Sequence, residues 1–102
     1  MVLVNEITAS GGEYFAWLFK QQNRGPLIGR RSWGGVFAAV DGPRLLDGTQ
    51  VRVVNVQPQG PSGDIENLGV AINQKVPLIE DAKLLTDDAI LETALQRIQS
   101  PK

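Results

Sequence analysis

The sequence predicts an α/β fold, a β-α-β core with a mostly parallel sheet, and three stretches predict it. Val2-Leu3-Val4 is a continuous apolar run ending at turn residues, which suits a strand buried on both faces. Tyr14 to Gln22 follows with the spacing of an amphipathic helix. Gly25-Pro26 stops that helix, and Leu27-Ile28 offers a second short strand. A strand, a helix and a strand in succession close as a parallel, right-handed unit.

The elements after this core are shorter. The first helix is expected over about Gly11 to Asn23, with Phe15, Leu18, Phe19 and Gln22 as its packing stripe and Tyr14 and Trp17 flanking it. Gly25 supplies the left-handed cap in this reading. Gly29 to Gly35 is a glycine-punctuated loop in which Arg30 and Arg31 are solvated, with anion or carboxylate binding a lesser option. It lacks the lysine of a phosphate loop. Val36 to Val40 reads as a strand, Asp41-Gly42-Pro43 as a turn, and Asp47-Gly48 as the turn of a hairpin leading into Val51–Val56. Gln57 to Asp64 is an irregular loop by composition. A short strand is expected at Val76-Pro77-Leu78. The last helix is expected to be capped by Thr86, with Ile90, Leu91, Ala94, Leu95 and Ile98 as its stripe and an end near Ser100-Pro101.

The chain has 102 residues, and residues 1–102 read as a single domain without repeats or a dividing linker. Ten basic against eleven acidic residues leave a net charge of −1, so there is no electrostatic footprint for nucleic acid. Cysteine is absent, which excludes disulfides, thiolate chemistry and cysteine metal sites. Histidine is absent too, removing the usual base for a serine nucleophile and the commonest transition-metal ligand. No apolar stretch approaches the roughly 20 residues that span a bilayer. Neither a cofactor nor a metal is implied. A chain that opens directly in a core strand is expected to be a piece of a larger protein.

Between the first strand and the helix lies Asn5-Glu6-Ile7-Thr8-Ala9-Ser10-Gly11-Gly12-Glu13. Ser10 sits at the mouth of the helix, where backbone N–H groups and the helix dipole stabilise negative charge. Nucleophile elbows use that arrangement to expose a serine beside an oxyanion hole. Ser10 with Glu13 is equally a capping box, S-x-x-E, which needs no chemistry and stabilises the helix by about 1 kcal/mol. By itself the local pattern favours the cap, because a hydroxyl without a base is a poor nucleophile.

Several stretches together resemble the tricorn-type and carboxyl-terminal processing serine proteases. Val2-Leu3-Val4-Asn5-Glu6 with Thr8-Ala9-Ser10-Gly11-Gly12-Glu13 resembles their nucleophile segment. Leu27-Ile28-Gly29 through Ser32-Trp33-Gly34-Gly35-Val36 resembles the segment that follows, with serine here for threonine. Leu46-Asp47-Gly48, Ile65-Glu66-Asn67-Leu68-Gly69-Val70 and the closing helix with Leu91, Glu92 and Ala94 match later stretches in the correct order. The resemblance implies the C-terminal half of a ClpP/crotonase-like protease domain. The processing branch carries a lysine base where this sequence has Gly35, so the tricorn-type branch, with its histidine base from an earlier part of the chain, is the better match.

That resemblance implies a serine-type peptidase working through an acyl-enzyme. Ser10 would be the nucleophile, Gly11 an oxyanion-hole amide, and Glu66 a carboxylate supporting the base site through an upstream serine. Without the resemblance Glu66 reads as a loop carboxylate or turn acceptor. The implied partners are a peptide substrate, the upstream part of the same protease and, as an option, further copies in a homo-oligomer. A prokaryotic cytoplasm or periplasm is the setting the family suggests. The alternative is a non-catalytic module of the same fold that self-associates or binds protein through the aromatic face around Trp17. The isolated chain, lacking histidine, is expected to be inactive.

Overall fold

The computed structural model describes residues 1–56, 65–78 and 88–100; the loop expected over 57–64 and the cap expected at Thr86 lie outside them. In chain order the elements are β1 (Val2–Val4), α1 (Gly11–Gln21), β2 (Leu27–Gly29), β3 (Ala38–Arg44), β4 (Gln50–Val56), β5 (Gln74–Lys75) and α2 (Ala89–Gln99). β2 lies between β1 and β5 and runs parallel to both, so the fold is mixed α/β around a parallel sheet. Along β2 the side chains alternate between layers. Leu27 joins Val4, Ala16, Val36, Ile65 and Val70 on one face, while Ile28 joins Val76, Ile90 and Ala94 on the other. A helix on each face is why the strand reads as an unbroken apolar run. Full burial of each such side chain stabilises by about 1.5–3 kcal/mol.

Helix α1 is rotated relative to the expected stripe. Its buried residues are Glu13 and Ala16, with Trp17 and Phe19 partly buried against the core. Phe15 is 58% and Leu18 37% exposed. Two features set this rotation. Ala16 is small enough to bring the helix close to the sheet, and Glu13 is tied inward by hydrogen bonds given below. The helix ends in a Schellman arrangement: Asn23 N–H donates to the Lys20 carbonyl at 3.0 Å and Arg24 N–H to the Phe19 carbonyl at 3.1 Å. The left-handed residue of the cap is Asn23, at φ 50°, and not Gly25, whose φ is 146°.

The third strand begins at Ala38 rather than Val36, because the N–H groups of Val36 and Phe37 donate to Glu66 and are lost to any ladder. Gly42-Pro43 stands inside β3 as an irregularity in the register, not as a turn. The reversal falls where Asp47-Gly48 places it. Leu45 N–H donates to the Thr49 carbonyl, and Asp47 Oδ1 accepts the Thr49 N–H, both at 2.9 Å. Among the described residues β3 and β4 pair only with each other, with Val40 opposite Val53 and Ala39 opposite Val54.

β5 falls on Gln74–Lys75, two residues before the apolar stretch expected to carry it; Val76 follows as a buried residue whose N–H donates to the Gly29 carbonyl. Helix α2 is capped by Asp88, whose Oδ1 accepts from Ile90 and Leu91 N–H, each at 3.1 Å. Its buried side is Ile90 and Ala94, while Leu91, Leu95 and Ile98 of the expected stripe are exposed. Among the described residues no helix is long and apolar enough to cross a membrane.

Candidate active site

The turn between β1 and α1 is built by Asn5, whose Oδ1 accepts the Ile7 and Thr8 N–H groups at 3.1 Å. Such a turn offers the backbone an alternative to continuing the strand. It delivers Ser10 at φ 51° and ψ −118°, a region that costs a residue with a Cβ of order 1–3 kcal/mol. Four backbone contacts hold it there. Ser10 N–H donates to the Gly35 carbonyl at 3.0 Å and to Glu13 Oε2 at 3.1 Å. The Ser10 carbonyl accepts from Glu13 and Tyr14 N–H. The capping box is present, and Ser10 is exposed. Next to it, the Gly11 N–H at the helix N-terminus has no partner among the described residues. An exposed serine and an amide without a partner among the described residues thus stand side by side on a strained turn.

Glu13 is fully buried, and its carboxylate is the hub of the site. Oε1 accepts from Ser32 Oγ at 2.6 Å and Gly34 N–H at 2.7 Å; Oε2 accepts from Gly35 N–H at 2.9 Å as well as from Ser10 N–H. Ser32, also buried, accepts the Val70 N–H at 2.7 Å. One carboxylate therefore joins the serine turn to the glycine loop after β2 and, through Ser32, to the 65–70 segment. Sequence reading found only one of these bonds, the capping-box return to Ser10. The others span 19 to 38 residues, and no local pattern encodes them.

Glu66 lies on that 65–70 segment. Its Oε2 accepts the N–H groups of Val36 at 2.8 Å and Phe37 at 3.1 Å. Its Oε1 carries no hydrogen bond among the described residues. Glu66 is thus anchored one residue from Gly35, whose carbonyl holds Ser10, although no direct contact joins Glu66 to Ser10. Arg31 fixes the segment from outside by donating to the Leu68 carbonyl at 2.6 Å and the Asn67 carbonyl at 2.7 Å. Neither arginine of the loop is simply solvated.

Arg30 pairs with Glu6 at 2.8 Å. The Arg30 hydrogen bond is the largest influence holding the Glu6 carboxyl below its ordinary value of 4.5. A depressed carboxyl stabilises the fold above that ordinary value, and the contribution fades as pH falls through the folded value. The Glu6 side chain is 54% exposed, so water and salt limit the pair to about 0.2–1 kcal/mol. Glu6→Gln is expected to lower the unfolding free energy from denaturant titration by that amount at neutral pH, and to have no effect well below the carboxylate range.

Residues 1–76 match the family model described as peptidase family S41. The chain belongs to peptidase family S41. Among relatives of this S41 chain, a tricorn protease homolog of Saccharolobus solfataricus is 37% identical over 98 residues, covering 92% of this chain and 9% of that protein. The tricorn protease of Thermoplasma volcanium is 31% identical over 104 residues, covering 96% of this chain and 10% of its own length. A putative tricorn-like protease C-terminal subunit of Sulfurisphaera tokodaii is 33% identical, with 94% and 12% covered. A crystal structure of the tricorn protease matches with a TM-score of 0.77 at 28% identity, over 94% of this chain and 10% of that one. The chain thus spans about a tenth of the length of the relatives it matches. Within the S41 chain, the place where the processing branch carries lysine is sterically occupied. A Cβ at Gly35 would lie 2.6–2.7 Å from carbons of the Trp33 ring.

Proposed function

We propose that this chain is the C-terminal portion of a serine peptidase catalytic domain of the tricorn-like type, in a ClpP/crotonase-like fold, with Ser10 as its nucleophile. The observation that carries this reading is the Ser10 turn: an exposed, non-glycine residue at φ 51° beside the Gly11 amide, which has no partner among the described residues. Backbone strain of this kind persists where the surroundings over-determine it.

Ser10 Oγ attacks the scissile carbonyl carbon while its proton passes to a histidine contributed from outside this chain. The oxygen that becomes negative takes the Gly11 N–H, with a second donor also from outside. The C–N bond breaks, the amine leaves with the proton from the histidine, and the acyl group stays on Ser10. Water then reverses these steps and releases the acid. Glu66 Oε1, without a hydrogen bond among the described residues, would support the base site through an upstream serine.

The test is labelling of the full-length protein with a fluorophosphonate. Wild type is expected to label on Ser10, and Ser10→Ala to lose the label together with roughly 10⁴-fold or more of peptidase kcat. Equal labelling of the two would remove Ser10 from the reaction. The exposed Phe15 and Leu18 face favours the alternative, a non-catalytic binding module; an unlabelled wild type that forms a defined dimer would support it.

A further inference from the structure

The loop after β2 leaves one large apolar side chain in the open beside Ser10, and the acyl-transfer chemistry gives it no task. Trp33 is 66% exposed, yet its backbone is fixed on both sides. Its N–H donates to the Thr8 carbonyl at 2.9 Å, and the next two N–H groups, of Gly34 and Gly35, both donate to the buried Glu13. The indole lies on Gly35, with Cε3 and Cζ3 where a side chain at that position would start. The carbonyl of the same Gly35 accepts the Ser10 N–H at 3.0 Å. Indole, Gly35 and Ser10 are therefore consecutive contacts. A second apolar group stands in the neighbouring turn: Ile7, one residue before Thr8, is 81% exposed. Both turns follow the carboxyl ends of parallel strands, the edge at which open α/β sheets bind ligands. An aromatic ring with few rotamers and a fixed backbone offers contact area at little entropic cost.

The geometry points to Trp33 as a specificity-determining wall of the substrate cleft, receiving an apolar side chain of the peptide next to the scissile bond. This rests on Ser10 being the nucleophile. Trp33 binds substrate and takes no part in proton transfer. It also explains why position 35 is glycine in this chain, since any larger residue would push the indole off the loop.

The experiment uses the full-length protein and two pairs of fluorogenic peptides. Each pair differs only in carrying leucine or serine at one residue flanking the cleaved bond, on the acyl side in one pair and the leaving side in the other. In wild type, one pair is expected to show a leucine preference in kcat/KM. Trp33→Ala is expected to reduce that preference about tenfold, the scale of one apolar pocket contact, chiefly through KM. Trp33→Phe is expected to retain most of it, and both variants are expected to label with fluorophosphonate as wild type does. Normal labelling with unchanged leucine preference in both pairs overturns the role of Trp33 and leaves Ser10 standing. An unlabelled wild type overturns the Ser10 reading and this one with it. Should Trp33→Ala fail to fold, Trp33→Leu and Trp33→Phe carry the comparison, and preferences identical to wild type in both overturn the inference.

Discussion

Glu13→Ala is expected to cost about 3–5 kcal/mol of folding free energy and to abolish labelling of Ser10 in the full-length protein. The estimate follows from what the carboxylate satisfies. It accepts from Ser10, Gly34 and Gly35 N–H and from the Ser32 hydroxyl, in a place without exposure. Removing an acceptor that leaves buried donors unpaired costs about 1–3 kcal/mol for each donor. Solvent entering the new cavity recovers part of this, which brings the total into the range for breaking a buried charged network. Glu13→Gln keeps the shape but replaces one oxygen with an NH₂ group that faces donors, so it is expected to lose about half as much. Denaturant titration with circular dichroism reads the stability, and the label reads the site. An alanine variant within 1 kcal/mol of wild type that still labels would show that the hub is dispensable.

The same numbers explain how a strained Ser10 persists. Its backbone conformation costs of order 1–3 kcal/mol, whereas each hydrogen bond to a charged group contributes about 1.5–3 kcal/mol net. Glu13 makes four such bonds, one of them to the Ser10 amide itself. The network outweighs the strain.

What the sequence reveals and what it hides follow from range. Leu27-Ile28 announces a parallel sheet because burial on both faces leaves an unbroken apolar run, whereas in Val2-Leu3-Val4, expected to be buried likewise, Leu3 is exposed and only the Val2 and Val4 side packs on the core. The turn at Asn5–Ser10 and the Asp47-Gly48 reversal are legible because short side chains bond their own backbone a few residues away. The rotation of α1 is not legible. Phe15 and Leu18 have the right spacing for a core stripe, but a buried carboxylate at Glu13 and a small Ala16 turn the helix elsewhere. The start of β3 is hidden for a similar reason, since Glu66 lies some thirty residues beyond the amides it takes. β5 is hidden because a central-strand partner, not its own polar side chains, makes Gln74–Lys75 extended. At the site, the resemblance pointed to Ser10, Gly11 and Glu66. The long-range bonds of Glu13, Ser32 and Arg31 emerge only when loops far apart in the chain meet.

Gly29→Ala is expected to be the most damaging single change in the sheet, destabilising by more than about 4 kcal/mol. Gly29 ends the central strand at φ 135°, a conformation L side chains rarely adopt. Its Cα faces the Val4 carbonyl so closely that an added Cβ would overlap it, with the Ile90 side chain close on the other side at 3.3 Å. Neither neighbour can yield cheaply. The Val4 carbonyl accepts the Arg30 N–H at 2.9 Å, and Ile90 is the buried residue that fastens α2 to the sheet. Shifting β1 would also move the Asn5 turn, and with it Ser10, because that turn begins directly after Val4. Loss of stability and loss of labelling should therefore coincide in Gly29→Ala. By contrast, Gly11→Ala meets open space on the helix and is expected to fold normally. A Gly29→Ala protein with a wild-type denaturation midpoint would mean that β1 and β2 do not approach each other as closely as the close packing of Gly29 on Val4 requires.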